Sequence, residues 1–466
     1  MILKKIKNSF DLKVVSILFL FLLLFLFSNS AIITSSLSVK FISLIIFSIC
    51  CIPIFLHYLD NNKETIPLFH LSILFYGVIF ALPSFLSVEY LSKLYFTLYS
   101  RETIFNINKD FFYRNILFIL IFVLLYFFGY FFFNFFQSKK FLFEFIFLRK
   151  FKLKDLLFLS FVFFLIKFCS ILFPILNSFS SINQLFIPLG YFSFASFYYY
   201  LIKEKPKLTI KLLIILCMFM IFFGSIISSN SLMYSLNCLI IIMIIYYMFK
   251  KKIPWLFLSF FLVIIIFSPL KNILRFKNLD HDKVNIAVHD KVNIAVEEIN
   301  NIHNSNSGSA RILNSYFIYH FVLLKVPEKY PYFEQSTYSN LITSFIPRAL
   351  WKNKPKSEVG REFSVKYGFN PQGNLTSINL PWVAELYLNF SFLGLFFGMF
   401  LMGAFIAFLN KLVSVPKNNY VQYISGLAVV TPLILPESNF ALMVGGIIPQ
   451  YIFLMIVFYI YLKIFK

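Results

Sequence analysis

Asn379–Gly403 reads NLPWVAELYLNFSFLGLFFGMFLMG, and Glu385 carries the only side-chain charge in it. From Trp382 onward it offers the roughly 20 apolar residues that a helix needs to cross the hydrocarbon core of a bilayer. Just upstream, Phe345–Gly368 reads FIPRALWKNKPKSEVGREFSVKYG, dense in Arg, Lys, Glu, Trp and Pro. A polar segment running straight into a membrane helix is where this chain can place polar chemistry. Little else is polar: of 466 residues, 59% are hydrophobic, 13% are charged, and 67 are Phe. So few polar groups cannot cover a water-soluble surface, whereas a bilayer solvates apolar side chains directly. The expected fold is an all-α polytopic integral membrane protein of about 12 transmembrane helices, with one large extracytoplasmic loop containing short helices.

Apolar runs lie at 14–34, 39–58, 66–86, 114–136, 156–176, 185–202, 208–229, 233–249, 253–271, 382–410, 420–436 and 440–462. The first follows Lys4, Lys5, Lys7 and Lys13 and ends in SNSA. Its apolar core is too long for a cleaved signal peptide, so a signal-anchor helix is expected. Taken alternately, the connections differ sharply in charge. One set holds the N-terminus, HYLDNNKET, Gln137–Asp155, Lys203–Lys211, Lys250–Lys252, Lys411–Lys417 and the C-terminus, and carries most of the Lys. The other includes Asn177–Gln184, Ser228–Ser231 and Pro436–Asn439, with no Lys or Arg. The positive-inside rule then places both termini in the cytoplasm. It divides the chain into a membrane domain (1–271, spans one to nine), a large outer loop (272–381) and a second membrane domain (382–466, spans ten to twelve). The net charge of +22 therefore marks topology, and nucleic acid is not an expected partner.

Ser87–Tyr113 and Asn272–Pro381 are the long outer segments, and the second far exceeds ordinary loop length, so it should be partly structured. Within it, Ser309 is expected to cap an amphipathic interfacial helix, ARILNSYFIYHFVLLKV, running to Val326. The direct repeat HDKVNIAV at 281–288 and 289–296 is too short to be a structural unit, and His281 and His289 are not counted as ligands. Cys50, Cys51, Cys169, Cys217 and Cys238 all lie in apolar runs, without disulfide or metal spacing. No nucleotide or metal motif is present, and neither cofactor nor metal is expected.

Only seven basic residues are Arg, and six of them (Arg101, Arg114, Arg275, Arg311, Arg348, Arg361) fall on or beside the outer face; Arg149 does not. The planar guanidinium fork suits phosphate and carboxylate, which makes the outer set candidate anion binders against the alternative of surface ion pairs with Glu358 and Glu362. Pro347–Pro355 brings Arg348, Trp351, Lys352 and Lys354 into a stiff cationic, aromatic turn. Trp351 and Trp382 suit either headgroup anchoring or a sugar-binding cleft. Glu385, one turn inside its span, is costly there unless it faces a polar cavity or a cation. Lys167, near the middle of the fifth span, has similar status unless it snorkels, and Glu437 is a weaker third. His320 lies on the expected loop helix, nine positions from Arg311 and so on roughly the opposite face.

FIPRALWKNKP, GREFSVKYG and TSINLPWVAELYLNFSFLGLFFGMFLMG together resemble the O-antigen polymerase (Wzy) family, the oligosaccharide repeat-unit polymerases of bacterial surface polysaccharides. The resemblance covers Phe345–Gly403; elsewhere only the general plan agrees. Ser391 stands where a small Gly is expected in an FG-x-x-G turn, a mild change. The resemblance implies glycosyl transfer at the outer face, with undecaprenyl-pyrophosphate-linked oligosaccharides and membrane lipid as partners, and a flippase and a chain-length regulator alongside. Arg and Lys would hold the departing pyrophosphate, and a carboxylate or His would take the acceptor hydroxyl proton. Within the motif fall Arg348, Lys354, Arg361 and Glu385. The topology argument adds Arg311, Arg101, Arg275 and His320. The catalytic candidates are Glu385, Arg348 and His320. Arg311, Arg361, Lys354, Trp351, Arg101 and Arg275 are the pyrophosphate- or sugar-binding candidates.

An O-antigen ligase-like transferase shares the plan and the lipid donor. A flippase or secondary transporter of lipid-linked oligosaccharide would more often have short loops, internal repeat symmetry and several charges within spans. A membrane-bound acyltransferase would need a His-centred constellation within a span, and none is seen.

Overall fold

The computed structural model describes residues 36–59, 66–86, 91, 109–137, 144–172, 180–229, 232–250, 307–333, 336–344, 351, 359–369, 377–414 and 419–465. The runs at 14–34 and 253–271 lie outside them, as does the His281–Val296 repeat. Among the described residues all regular structure is helical. In chain order it comprises α1 (Ser36–Leu59), α2 (Leu68–Tyr76), α3 (Lys109–Phe136), α4 (Leu153–Leu172), α5 (Ser180–Glu204), α6 (Leu208–Ser229) and α7 (Leu232–Lys250). Then come α8 (Ser307–Lys325), α9 (Ser339–Ser344), α10 (Val359–Lys366), α11 (Trp382–Val413), α12 (Tyr420–Val430), α13 (Phe440–Val444) and α14 (Ile447–Phe465). A π-helical turn (Gly77–Ala81) and a 3-10 turn (Leu82–Phe85) continue α2, and a 3-10 turn (Thr431–Ile434) continues α12.

Among the described residues, four stretches are long and apolar enough to cross a membrane: Leu68–Phe85, Arg114–Phe136, Trp382–Val413 and Phe440–Phe465. Shorter apolar helices lie at Ser38–Ile54, Leu208–Gly224, Met233–Phe249 and Tyr420–Ile434. These are helices, not strands, because runs of about 20 apolar residues without water must satisfy every peptide group internally. The chain is a helical membrane protein by this measure. Large apolar side chains stay exposed along α6 (Leu212, Leu213, Leu216, Phe219) and α14 (Ile452, Ile456, Ile460), as lipid-facing surfaces do.

Neighbouring helices run in defined directions. In α1 and α2, His57 meets His70 (ring centroids 4.5 Å apart) and Cys50 meets Gly77, so the pair is antiparallel. In α4 and α5, Phe161 meets Phe197 (5.0 Å) and Lys167 meets Gly190, again antiparallel. The most extensive pairing, α3 with α11, is parallel: Phe118 lies on Phe392 (5.0 Å), and Asn410 Nδ2 donates to the Tyr130 hydroxyl (3.4 Å). Beyond the end of α3, the Lys411 ammonium donates to the Gln137 carbonyl. Two glycines allow this closeness. A Cβ on Gly129 would land on the Phe400 carbonyl oxygen, and one on Gly403 on the Tyr126 carbonyl oxygen. Small residues let backbones touch where van der Waals packing, not water, must hold helices together.

The basic segment before α4 folds onto this same end of the α3–α11 pair. Phe145 N donates to Gln422 Oε1 (2.9 Å), the Tyr420 hydroxyl to the Phe151 carbonyl (2.6 Å), and Arg149 pairs with Glu144 (2.7 Å).

α8 departs from expectation in two respects. It begins at Ser307, so Ser309 lies within its first turn and does not cap it. Nor does it lie on a surface: Leu313 and Ser315–Leu323 are buried, packed against α11, α3 and the π-turn after α2. The physical reason is legible in SYFIYHFVLL, which is apolar or aromatic around the whole circumference, and a helix apolar all round is buried.

Candidate functional site

The first half of α11 is wrapped by the chain that follows α8. The Tyr387 hydroxyl donates to the Val326 carbonyl (3.0 Å), Phe333 N to the Leu388 carbonyl (3.0 Å), and the Tyr332 hydroxyl to Ser391 Oγ (3.0 Å). Ser391 has φ 58° and ψ −154°, a non-helical break inside α11. That conformation is nearly exclusive to glycine. Serine at this position is therefore not the mild exchange its size suggests, since the chain holds an L-residue where Gly would be unstrained.

The wrapping segment delivers Thr337 to Glu385, which is fully buried. Thr337 Oγ1 donates to Glu385 Oε1 (2.6 Å), and the backbone N–H of Phe440, first residue of α13, donates to Oε2 (2.7 Å). Asn389, one turn beyond Glu385, fixes the threonine. Its Oδ1 accepts from Thr337 N (2.8 Å), and its Nδ2 lies 3.0 Å from Thr337 Oγ1 and 2.7 Å from the Glu385 carbonyl. One carboxylate thus joins the wrapping segment, α11 and α13. Around it stand aromatic rings: Tyr338 and Trp382 each pack on Phe440 (5.6 and 5.3 Å), and Phe405 lies 5.5 Å from the same ring. Burial, then the Glu385 charge, hold the Tyr338 phenol well above its ordinary range. Among the described residues the Tyr338 hydroxyl and Trp382 Nε1 are buried without a hydrogen-bond partner.

Such a carboxylate can hold or accept a proton, and its bonds keep it oriented. Its oxygens are held by a hydroxyl and a peptide N–H. Among the described residues no cation pairs with it.

The other candidates are placed differently. His320 is buried on α8, its Nδ1 donating to the Tyr316 carbonyl (2.9 Å) and its ring between Tyr316 (4.3 Å) and Tyr319 (5.1 Å). Burial pushes its pKa down from 6.5 to about 4, against the opposing effect of the Tyr316 hydrogen bond. The ring is therefore neutral near pH 7. Arg361 sits half-buried on α10, which docks on the lead into α11 through Ile378 N to the Gly360 carbonyl (3.2 Å). Trp351 is exposed, whereas Trp382 is wholly buried and so anchors no headgroup layer. Arg311 belongs to α8, and only its backbone is described. Arg348, Lys354, Arg101 and Arg275 lie outside the described residues.

Thr337, Tyr338 and the Phe440 N–H lie outside the resembling stretch and are new from the structure, and Asn389, though inside it, is given its role only by the structure. Asn389 had a legible signal, because a polar residue four after a buried acid shares its helix face. Thr337, in the polar run SerThrTyrSerAsn at 336–340, had none.

No curated protein and no solved structure matches the chain. A family profile matches residues 135–465, a region that holds Glu385, His320, Arg275, Arg311, Arg348 and Arg361 but not Arg101 or Arg114. The chain belongs to the family described as a domain of unknown function, DUF8712.

Proposed function

We propose that the chain polymerises undecaprenyl-pyrophosphate-linked oligosaccharide repeat units into surface polysaccharide, by glycosyl transfer at the outer face of the bacterial cytoplasmic membrane. The observation that carries this reading is Glu385: a fully buried acid, held by neutral donors, inside the stretch that resembles the polymerases. In this reading Glu385 is the base that takes the proton of the acceptor hydroxyl as its oxygen bonds the anomeric carbon. The bond to pyrophosphate breaks, and Arg348, Arg361 and Lys354 take up the charge that develops on the leaving group. His320, locked into its own helix, is the weaker base. Reaching Glu385 requires the Thr337 segment to swing away.

Twelve spans with cytoplasmic termini belong to the same proposal. Helix direction supports them: α3 and α11 are the fourth and tenth expected spans, and two even-numbered spans must run parallel, as this pair does. α1 with α2, and α4 with α5, are consecutive spans and antiparallel.

The test is a gel of surface polysaccharide from a strain lacking the gene, with and without the gene restored. A ladder that collapses to a core bearing one repeat unit supports the polymerase. Loss of every repeat unit with lipid-linked chains outside would instead indicate a ligase. Single units retained inside would indicate a flippase, and an unchanged ladder would end the proposal.

A further inference from the structure

Glu385 is shut in by a thin layer of chain. The residue on its Oε1 is Thr337, 6% exposed, and on either side of that threonine Ser336 and Ser339 are exposed. One residue's thickness therefore separates the carboxylate from the surface. This cover, residues 336–344, is held at Thr337 by its bonds to Glu385 Oε1 and to both ends of the Asn389 amide. At its root the Tyr332 hydroxyl donates to Ser391, and further along α9 rests on α13.

Other features of the same contact oppose closure. Tyr338, next to Thr337, packs its ring on Phe390 and Phe440 (5.7 and 5.6 Å), and its hydroxyl is buried with no hydrogen-bond partner among the described residues. Trp382 Nε1, beside the same Phe440 ring, is in the same condition. Each lacks a bond that water supplies once the segment lifts. Ser391, whose Oγ the Tyr332 hydroxyl holds, keeps its glycine-type conformation, and strain of this kind gathers at switch regions. Four hydrogen bonds thus favour the closed form, while two unpartnered donors and one strained residue oppose it. A surface segment balanced in this way opens locally while the bundle beneath it stays folded.

We propose that residues 336–344 form an autoinhibitory strap, which closes Glu385 off with Thr337 and opens without unfolding the helices around it. Its regulatory meaning rests on Glu385 being the base of the proposed transfer. Shut, the strap keeps water from the carboxylate, so the lipid-linked chain is not hydrolysed between transfers. Open, it admits the acceptor hydroxyl.

The test reads access to Glu385 and needs no polymer. The O–H of a carboxyl group adds across a C=N bond of dicyclohexylcarbodiimide, and the adduct rearranges to a stable N-acylurea. Its growth on Glu385 is followed by peptide mass spectrometry of the full chain in membrane vesicles. Asn389 bonds neither carboxylate oxygen, so Asn389→Ala loosens the strap without removing a donor from the acid. It should label about tenfold or more faster than wild type, as loss of two hydrogen bonds predicts. Tyr332→Phe, which loses the bond to Ser391, should label several-fold faster and gives the readout if Asn389→Ala does not fold. Tyr338→Phe separates a strap from a plain structural brace. It removes an unpartnered hydroxyl and keeps the ring, so it should slow labelling several-fold. Equal rates in wild type, Asn389→Ala and Tyr332→Phe would overturn the proposal, as would unchanged or faster labelling in Tyr338→Phe. If the rates hold but the polysaccharide gel excludes a polymerase, the strap stands as a gate on Glu385 and the reaction behind it is another. If the gel supports a polymerase and the rates fail, no strap governs the site.

Discussion

Glu385 holds three segments through two oxygens, so its replacement tests structure and chemistry together. Glu385→Gln keeps the shape but turns one acceptor into a donor, facing either the Thr337 hydroxyl or the Phe440 N–H. Thr337→Val removes a hydroxyl donor and leaves the carboxylate under-satisfied, at a cost of about 1–3 kcal/mol. If the proposed base is correct, Glu385→Gln abolishes polymer while the purified protein still melts cooperatively. Thr337→Val should lower the melting temperature and leave measurable polymer. Equal polymer from Glu385→Gln and wild type, at matched expression, would remove Glu385 from the chemistry.

His320 gives a pH dependence whose sign is fixed. In the folded chain its pKa is about 4, below the value of 6.5 in an unfolded one. Between those values the unfolded state binds more protons, so the contribution of His320 is complete above pH 6.5 and is lost as pH falls towards 4. The wild type should lose thermal stability across that window more steeply than His320→Gln; parallel profiles would show that the ring is not held neutral. At Ser391, relief of a glycine-type conformation worth about 1–3 kcal/mol competes with loss of the Tyr332 hydrogen bond, worth about 1 kcal/mol. Ser391→Gly is expected to be neutral to mildly stabilising, and Ser391→Ala destabilising because it keeps the strain and loses the bond. Comparing the two melting temperatures settles the order.

At the scale of elements, the apolar runs were readable because a bilayer imposes helix on any long uncharged run. The expected bounds 208–229 and 233–249 fall close to α6 and α7. What composition did not show was contact between distant helices. Nothing near Gly129 announces that it faces Phe400, because a glycine in an apolar run looks alike whether it meets lipid or a backbone. The expected interfacial placement of α8 fails for a related reason: from Tyr316 to Leu324 apolar and aromatic groups fill all its sides. The Glu385 position was legible from its depth, but its partners were not, since Thr337 and Phe440 reach it only through tertiary packing. At the α3–α11 contact, Gly403→Val should destabilise by about 1–3 kcal/mol or more through overpacking. Val at Gly446, where a Cβ would meet mainly the Gln450 side chain, should cost less. Similar melting temperatures for the two variants would contradict the packing described.

The whole molecule makes its prediction through sidedness. Ser336, exposed in the wrapping segment, and Lys207, exposed between α5 and α6, belong to opposite ends in the twelve-span arrangement. In a chain whose native cysteines are replaced, a cysteine at 336 should react with a membrane-impermeant maleimide in intact cells, and one at 207 only after lysis. The reverse pattern would invert the topology and remove Glu385 from the outer side. The parallel α3–α11 pairing carries a consequence for biogenesis. Two parallel helices cannot be joined by a hairpin, and here some 245 residues separate Gln137 from Trp382. During synthesis α3 therefore enters the bilayer with the groove at Gly129 empty and waits through most of the chain for its partner. The most extensive helix contact of the bundle closes late, so a ribosome stalled before residue 403 leaves a membrane-inserted chain whose central seam is still open.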